Sequence, residues 1–143
     1  MTTSNLAWKQ EVGTLVFEKT FPPITRHALA LYCGASGDTN PVHVDIDFAK
    51  TSGFDDVFAH GMLVMGYLGS ALEEVFAARS ISRFSTRFSA ITQLGAAITC
   101  RGTIASVDHD FMTIELTAQD QDGDVKLKGQ ALIQIQSGRT GDE

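Results

Sequence analysis

The sequence predicts an α+β fold, a single antiparallel sheet wrapped around one central helix. Three features predict it. Gly61–Ala78 is the longest stretch with apolar residues at three-to-four spacing. After Arg79 the apolar period drops to two and holds as far as Ile135. One further alternating stretch, Val12–Phe21, precedes all of this. An early strand, helices and then a run of strands is an α+β order. Clean alternation means antiparallel strands with one face buried.

Each element has its own warrant. Val12–Phe21 is read as the first strand, ended by Pro22-Pro23. Thr25 can cap a helix over Arg26–Ala35, with Leu29 and Cys33 on one face. Gly34, Gly37, Asp38, Asn40 and Pro41 make a loop. Asp45–Lys50 reads as a short helix stopped by Gly53. In Gly61–Ala78 the repeating positions are Met62, Met65, Leu68 or Gly69, Leu72, and Val75 or Phe76. Gly66 and Gly69 each cost about 1 kcal/mol against Ala in a helix, a cost that close packing against a sheet would explain. Phe84, Thr86, Phe88 and Ala90 begin the strand series, followed by Ile98, Cys100 and Ile104, then Met112, Ile114 and Leu116. In the last strand Val125, Leu127, Gly129, Ala131, Ile133 and Ile135 alternate with Lys126, Lys128, Gln130, Gln134 and Gln136. Asp122-Gly123 is a hairpin turn signal before it.

The 143 residues suit one domain, with an ordered core of about 12–136 between polar, loose ends. The net charge is −6 and the basic residues form no cluster, which argues against a nucleic-acid or anionic-membrane partner. Cys33 and Cys100 have no metal-ligand spacing and read as buried small hydrophobes. No apolar segment is long and unbroken enough to cross a membrane, and none resembles a signal peptide. A cytoplasmic protein is expected.

Two polar clusters could carry chemistry. In Ser36-Gly37-Asp38-Thr39-Asn40-Pro41-Val42-His43, a folded loop can aim Asp38 and His43 at one point as an acid–base pair. The same residues are also ordinary turn chemistry. In Ala59-His60-Gly61-Met62, a helix start offers free N–H groups, and Gly61 leaves the approach to one of them open. The plainer reading is that Gly61 eases entry into the helix and His60 is a partly buried, satisfied histidine. His27 and His109 are read as exposed surface residues. No His/carboxylate pattern has metal-ligand spacing, and no phosphate-binding glycine motif is present.

At these clusters the chain resembles the MaoC-like hydratases and dehydratases. The resemblance rests on Tyr32–His43, Ala49 and Phe58-Ala59-His60-Gly61-Met62-Leu63, and it runs from about Val12 to Gln136. Ser36–His43 matches the family's Ser-Gly-Asp-x-Asn-Pro-hydrophobic-His motif at every position. The resemblance implies a hot-dog fold, paired into dimers by joined sheets. It implies Asp38 and His43 as the catalytic pair and the Gly61 N–H as donor to the thioester carbonyl. Asn40 then fixes the loop. Ser36, His60 and Met62, inside the matched stretches, are expected to brace the site or touch substrate. Phe84–Gln93 and Leu94-Gly95-Ala96-Ala97 depart from the family pattern, which bears on the acyl-chain walls and partner contacts.

The implied reaction is reversible addition of water to a trans-2-enoyl thioester, giving an (R)-3-hydroxyacyl thioester, with no metal or redox cofactor. The substrate carrier is CoA or an acyl carrier protein. The expected assembly is a homodimer, with a heterodimer of related hot-dog subunits as the alternative. A thioesterase on the same fold is the competing enzyme, and a purely structural hot-dog domain the remaining reading.

Overall fold

The computed structural model describes residues 11–135. The expected loose ends lie outside these residues, apart from Glu11. Five strands form one antiparallel sheet: β1 (Leu15–Thr20), β2 (Ile81–Phe88), β3 (Thr99–Val107), β4 (Phe111–Gln119) and β5 (Val125–Gln134). Their order across the sheet is β1-β3-β4-β5-β2. Register shifts interrupt every pairing, at Leu15/Phe17, Ile81/Arg83, Ile104/Ser106 and Ala118/Gln119. An irregularity of this kind bends and twists a strand, and four of them curl the sheet. The long helix α3 (Gly61–Val75) touches β1, β2, β3 and β4, so it lies along the hollow of the sheet. The hot-dog arrangement is therefore present.

The helices begin where their caps dictate. The Thr25 hydroxyl accepts the Ala28 N–H at 3.1 Å and starts α1 (Arg26–Ser36). Gly37, at φ 75°, ends it in the left-handed conformation and donates its N–H to the Cys33 carbonyl. Gly34 thus belongs to the helix, not to the loop. A one-turn 3₁₀ helix follows at Pro41–His43, and α2 (Ile46–Thr51) starts from the Asp45 carboxylate, which accepts the N–H groups of Asp47 and Phe48.

Several expectations are corrected. The first strand begins at Leu15 because Glu11 to Gly13 form a turn, with Gly13 at φ 91°. Helix α3 stops at Val75: Phe76 is extended, and a 3₁₀ turn at Ala78–Ser80 leads into β2. Its buried stripe is Val64, Leu68, Ala71 and Leu72, whereas Met62 is 54% exposed. A Cβ on Gly69 would lie 3.4 Å from the Phe84 ring, but one on Gly66 would meet nothing within 4 Å, so close packing does not account for Gly66. β2 ends at Phe88, which leaves Ala90 outside the strand.

Lys126 is buried instead of solvent-facing. Its Nζ donates to Asp124 Oδ2 at 2.7 Å and lies 3.4 Å from Asp120 Oδ2. Burial works against its charge, but the bond to Asp124 and the charges of both aspartates prevail and raise its pKa. The expected turn is there: Gly123 has φ 81°, and Asp120 Oδ1 accepts the N–H groups of Asp122 and Asp124. Both cysteines are free and buried, and burial pushes the Cys100 thiol up to about 12.

Candidate active site

The loop after α1 is built from its own side chains. Ser36 Oγ donates to the Tyr32 carbonyl at 2.7 Å and accepts the Asp38 N–H at 3.1 Å. The Asn40 N–H points at Asp38 Oδ1 at 3.4 Å, and Asn40 Oδ1 accepts the Val42 N–H at 3.1 Å. Asn40 thereby caps the 3₁₀ turn that carries His43. Ser36 and Asn40 hold the loop, and neither is among the residues lining the pocket.

His43 is buried, and its Nδ1–H donates to the Phe58 carbonyl at 2.7 Å. A carbonyl only accepts, so the proton sits on Nδ1 and the Nε2 lone pair is left for chemistry. His60 is 2% exposed. Its Nε2–H donates to the Asp38 backbone carbonyl at 3.1 Å, with Cys33 Sγ 3.4 Å away. The rings of His43 and His60 stack with centroids 3.8 Å apart and planes 25° from parallel. Burial is the largest influence on the His60 pKa and lowers it below the ordinary 6.5.

Donor atoms of Asp38, His43 and His60 lie within 4.8 Å of one another. Sequence spacing gave no sign of this grouping, because a loop and a helix start bring it together. It has the composition of a metal triad. Near-parallel stacked rings, however, direct their in-plane lone pairs side by side and not toward one shared ion.

The cluster opens on a pocket of about 550 Å³. Asp38, His43, His60, Gly61 and Met62 line one side, and Phe88 to Thr92 face them. The start of α3 is part of this lining. His60 is the N-cap residue and makes no side-chain cap bond; its carbonyl accepts the Leu63 N–H at 3.1 Å, and the N–H groups of Gly61 and Met62 have no acceptor within the helix. The Gly61 expectation needs correction here. A Cβ at Gly61 would come within 2.8 Å of the Phe88 ring, so the space beside its Cα is filled by Phe88. Any side chain there would have to displace the Phe88 ring, whatever the Gly61 N–H does.

Sequence reasoning missed Phe58, whose carbonyl fixes the His43 tautomer, and within Phe84–Gln93 it did not single out Phe88 to Thr92 as the residues that line the pocket. The departure of Phe84–Gln93 from the family pattern was the available signal for that wall. A bridge between Phe58 and Gln93, and a bond from the Ala59 N–H to the Thr92 carbonyl at 2.9 Å, tie it to the approach to α3.

The MaoC like domain model matches residues 9–124. The chain belongs to the MaoC-like family. Among MaoC-like relatives, an (R)-specific enoyl-CoA hydratase of Rhodospirillum rubrum is 30% identical over 117 residues, covering 78% of this chain and 80% of that protein. The (R)-specific enoyl-CoA hydratase of Aeromonas caviae is 27% identical over 75% of this chain and 83% of its own length. An unliganded R-hydratase from Pseudomonas aeruginosa superimposes with a TM-score of 0.77 at 24% identity, over 93% of this chain and 91% of that one. One chain of the ChsH1-ChsH2 complex from Mycobacterium tuberculosis has the same fold, with a TM-score of 0.77 at 16% identity over 88% and 98% of the two chains.

Proposed function

We propose that this MaoC-like protein is a hydro-lyase that adds water across the double bond of trans-2-enoyl thioesters and removes it from (R)-3-hydroxyacyl thioesters. The observation that carries the assignment is the meeting of an Asp38 carboxylate and a His43 ring nitrogen in a pocket that a helix N-terminus also lines.

Hydration forms a C–O bond at C3 and a C–H bond at C2, and the water supplies both the hydroxyl and, in net terms, the proton. Asp38 and the His43 Nε2 lone pair hold the water between them and handle the two protons. A positioned acid or base contributes about 10²–10⁴-fold. Charge that builds on the thioester oxygen as the water oxygen adds to C3, and that is discharged when C2 takes its proton, is met by the N–H groups at the start of α3. One such donor is worth about 2.7–4 kcal/mol. Met62 and Phe88 to Thr92 supply the walls for the acyl chain. Neither cysteine is a candidate nucleophile: burial raises both thiol pKa values.

The working unit is a homodimer in the cytoplasm, and CoA or an acyl carrier protein bears the acyl group. Two features support dimerisation. Among the described strands β2 lies at the edge of the sheet and pairs with β5 alone. Met62, Phe88 and Ile91, all at the pocket, are 54%, 51% and 42% exposed in the single chain.

The test is to incubate the purified protein with short- and long-chain trans-2-enoyl-CoA, following enoyl absorbance and free thiol together. Loss of absorbance without thiol release is the expected result. Thiol release would assign a thioesterase instead, and inertness alone would point to one subunit of a heterodimer.

A further inference from the structure

His60 makes no direct claim on the proposed chemistry, yet it touches both residues that do. Its Nε2–H donates to the Asp38 carbonyl at 3.1 Å, and its ring face lies 3.8 Å from that of His43. Its other nitrogen, Nδ1, is buried and has no partner among the described residues. The rest of its surroundings come from α1: Tyr32 meets the ring edge-on at 4.6 Å, and Cys33 Sγ sits beside Nε2.

These contacts fix the chemical state of the ring. Nε2 faces a carbonyl and must carry a proton, so Nδ1 in the neutral ring is a bare lone pair. Protonating Nδ1 would bury an N–H with no acceptor and place a cation against His43, which must itself take up charge when it accepts a proton. The titratable groups around His60 are Tyr32 and Cys33 from α1 and Asp38 and His43 from the following loop and turn. Of these Asp38 alone favours the cation, and burial opposes it more strongly.

We propose that His60 is the positioning residue of the site, a histidine kept neutral with its proton on Nε2, which clamps the Asp38 backbone and gives His43 the surface it rests on. One buried ring then sets the separation of the two reacting side chains. It does so without competing for the proton they exchange. This assignment rests on the hydratase reading for its kinetic consequence but not for the state of the ring.

Two variants and one spectrum test it. In His60→Leu the clamp is lost, and kcat on trans-2-enoyl-CoA should fall about 10–100-fold with KM changed by less than about threefold, since the residue orients and does not bind. In His60→Gln an amide N–H can reach the same carbonyl, and kcat should stand about tenfold above the Leu variant. In the wild type, nitrogen-15 spectra of the imidazoles should show His60 protonated on Nε2 and titrating below the ordinary histidine range. A neutral ring protonated on Nδ1, a His60 titrating in or above that range, a Leu variant with wild-type kcat, or a Gln variant no better than Leu would each overturn it. The spectrum needs neither variant to fold nor the enzyme to turn over. An inactive wild type would count against an active homodimer and still leave the state of His60 decided on its own.

Discussion

Removing the charge of Asp38 or the imidazole of His43 leaves the loop that carries them largely intact. Ser36 and Asn40 brace that loop through the Tyr32 carbonyl and the Asp38 and Val42 N–H groups. Asp38→Asn and His43→Ala should therefore each lower kcat by at least about 10² with the fold intact, the melting temperature staying near that of the wild type in Asp38→Asn and falling somewhat in His43→Ala, which loses a buried ring bonded to Phe58. Steady-state rates and a thermal scan on the same preparations check this. Stability carries a pH signature as well. Folded His60 takes its proton at lower pH than an unfolded histidine of pKa 6.5, so below that point the unfolded chain binds more protons. Stability should drop as pH falls through about 6.5, and less so in His60→Gln, read from urea midpoints on either side of that pH. Asp38 and His43 were legible as a pair because they belong to one short run of sequence. The tautomers were not: His43 is set by Phe58 and His60 by Asp38, contacts that bridge 15 and 22 residues and leave no local pattern.

Two of the three glycines in helix α3 have opposite physical meanings. Gly66 is exposed and has open space where a Cβ would go, so Gly66→Ala should stabilise the fold by up to about 1 kcal/mol through helix propensity. Denaturant unfolding measures it, and a loss of stability would mean the position is covered by something else. Gly61 is packed against Phe88, so Gly61→Ala should cost stability and activity together. Pairing it with Phe88→Leu, which withdraws the ring, should restore part of both. Failure of that rescue would show that Gly61 is needed at the helix start for another reason. The length of α3 was nearly legible, but its buried face was not. GMLVMGYLGSALEEV is apolar at most positions, and such a sequence does not choose which side meets the sheet. The choice falls to Val64, Leu68, Ala71 and Leu72 because β1, β3 and β4 cover that side while Met62 faces the pocket. Lys126 was misplaced for a related reason: alternation assigns a face, and only the paired Asp120 and Asp124 make burial of that amine tolerable.

For the molecule as a whole, an edge strand beside exposed apolar side chains calls for a covering surface. Sedimentation at micromolar concentration should give a dimer, and a fully active monomer would overturn that expectation. The run β3, β4, β5 was readable as a meander because neighbours in sequence are neighbours in the sheet. The place of β2 was not, since strand alternation carries no record of which partner a strand will find. That place has a consequence for synthesis. β2 is held only by β5, the last strand described, and the segment after β2 forms the far wall of the pocket. As the chain leaves the ribosome, the motif loop and α3 emerge early, but Phe88 has no strand to hold it over Gly61 until its β5 partner Leu127 is free. The pocket is thus among the last parts to be completed, and a chain stalled before β5 would carry Asp38 and His43 without the enclosure in which they act.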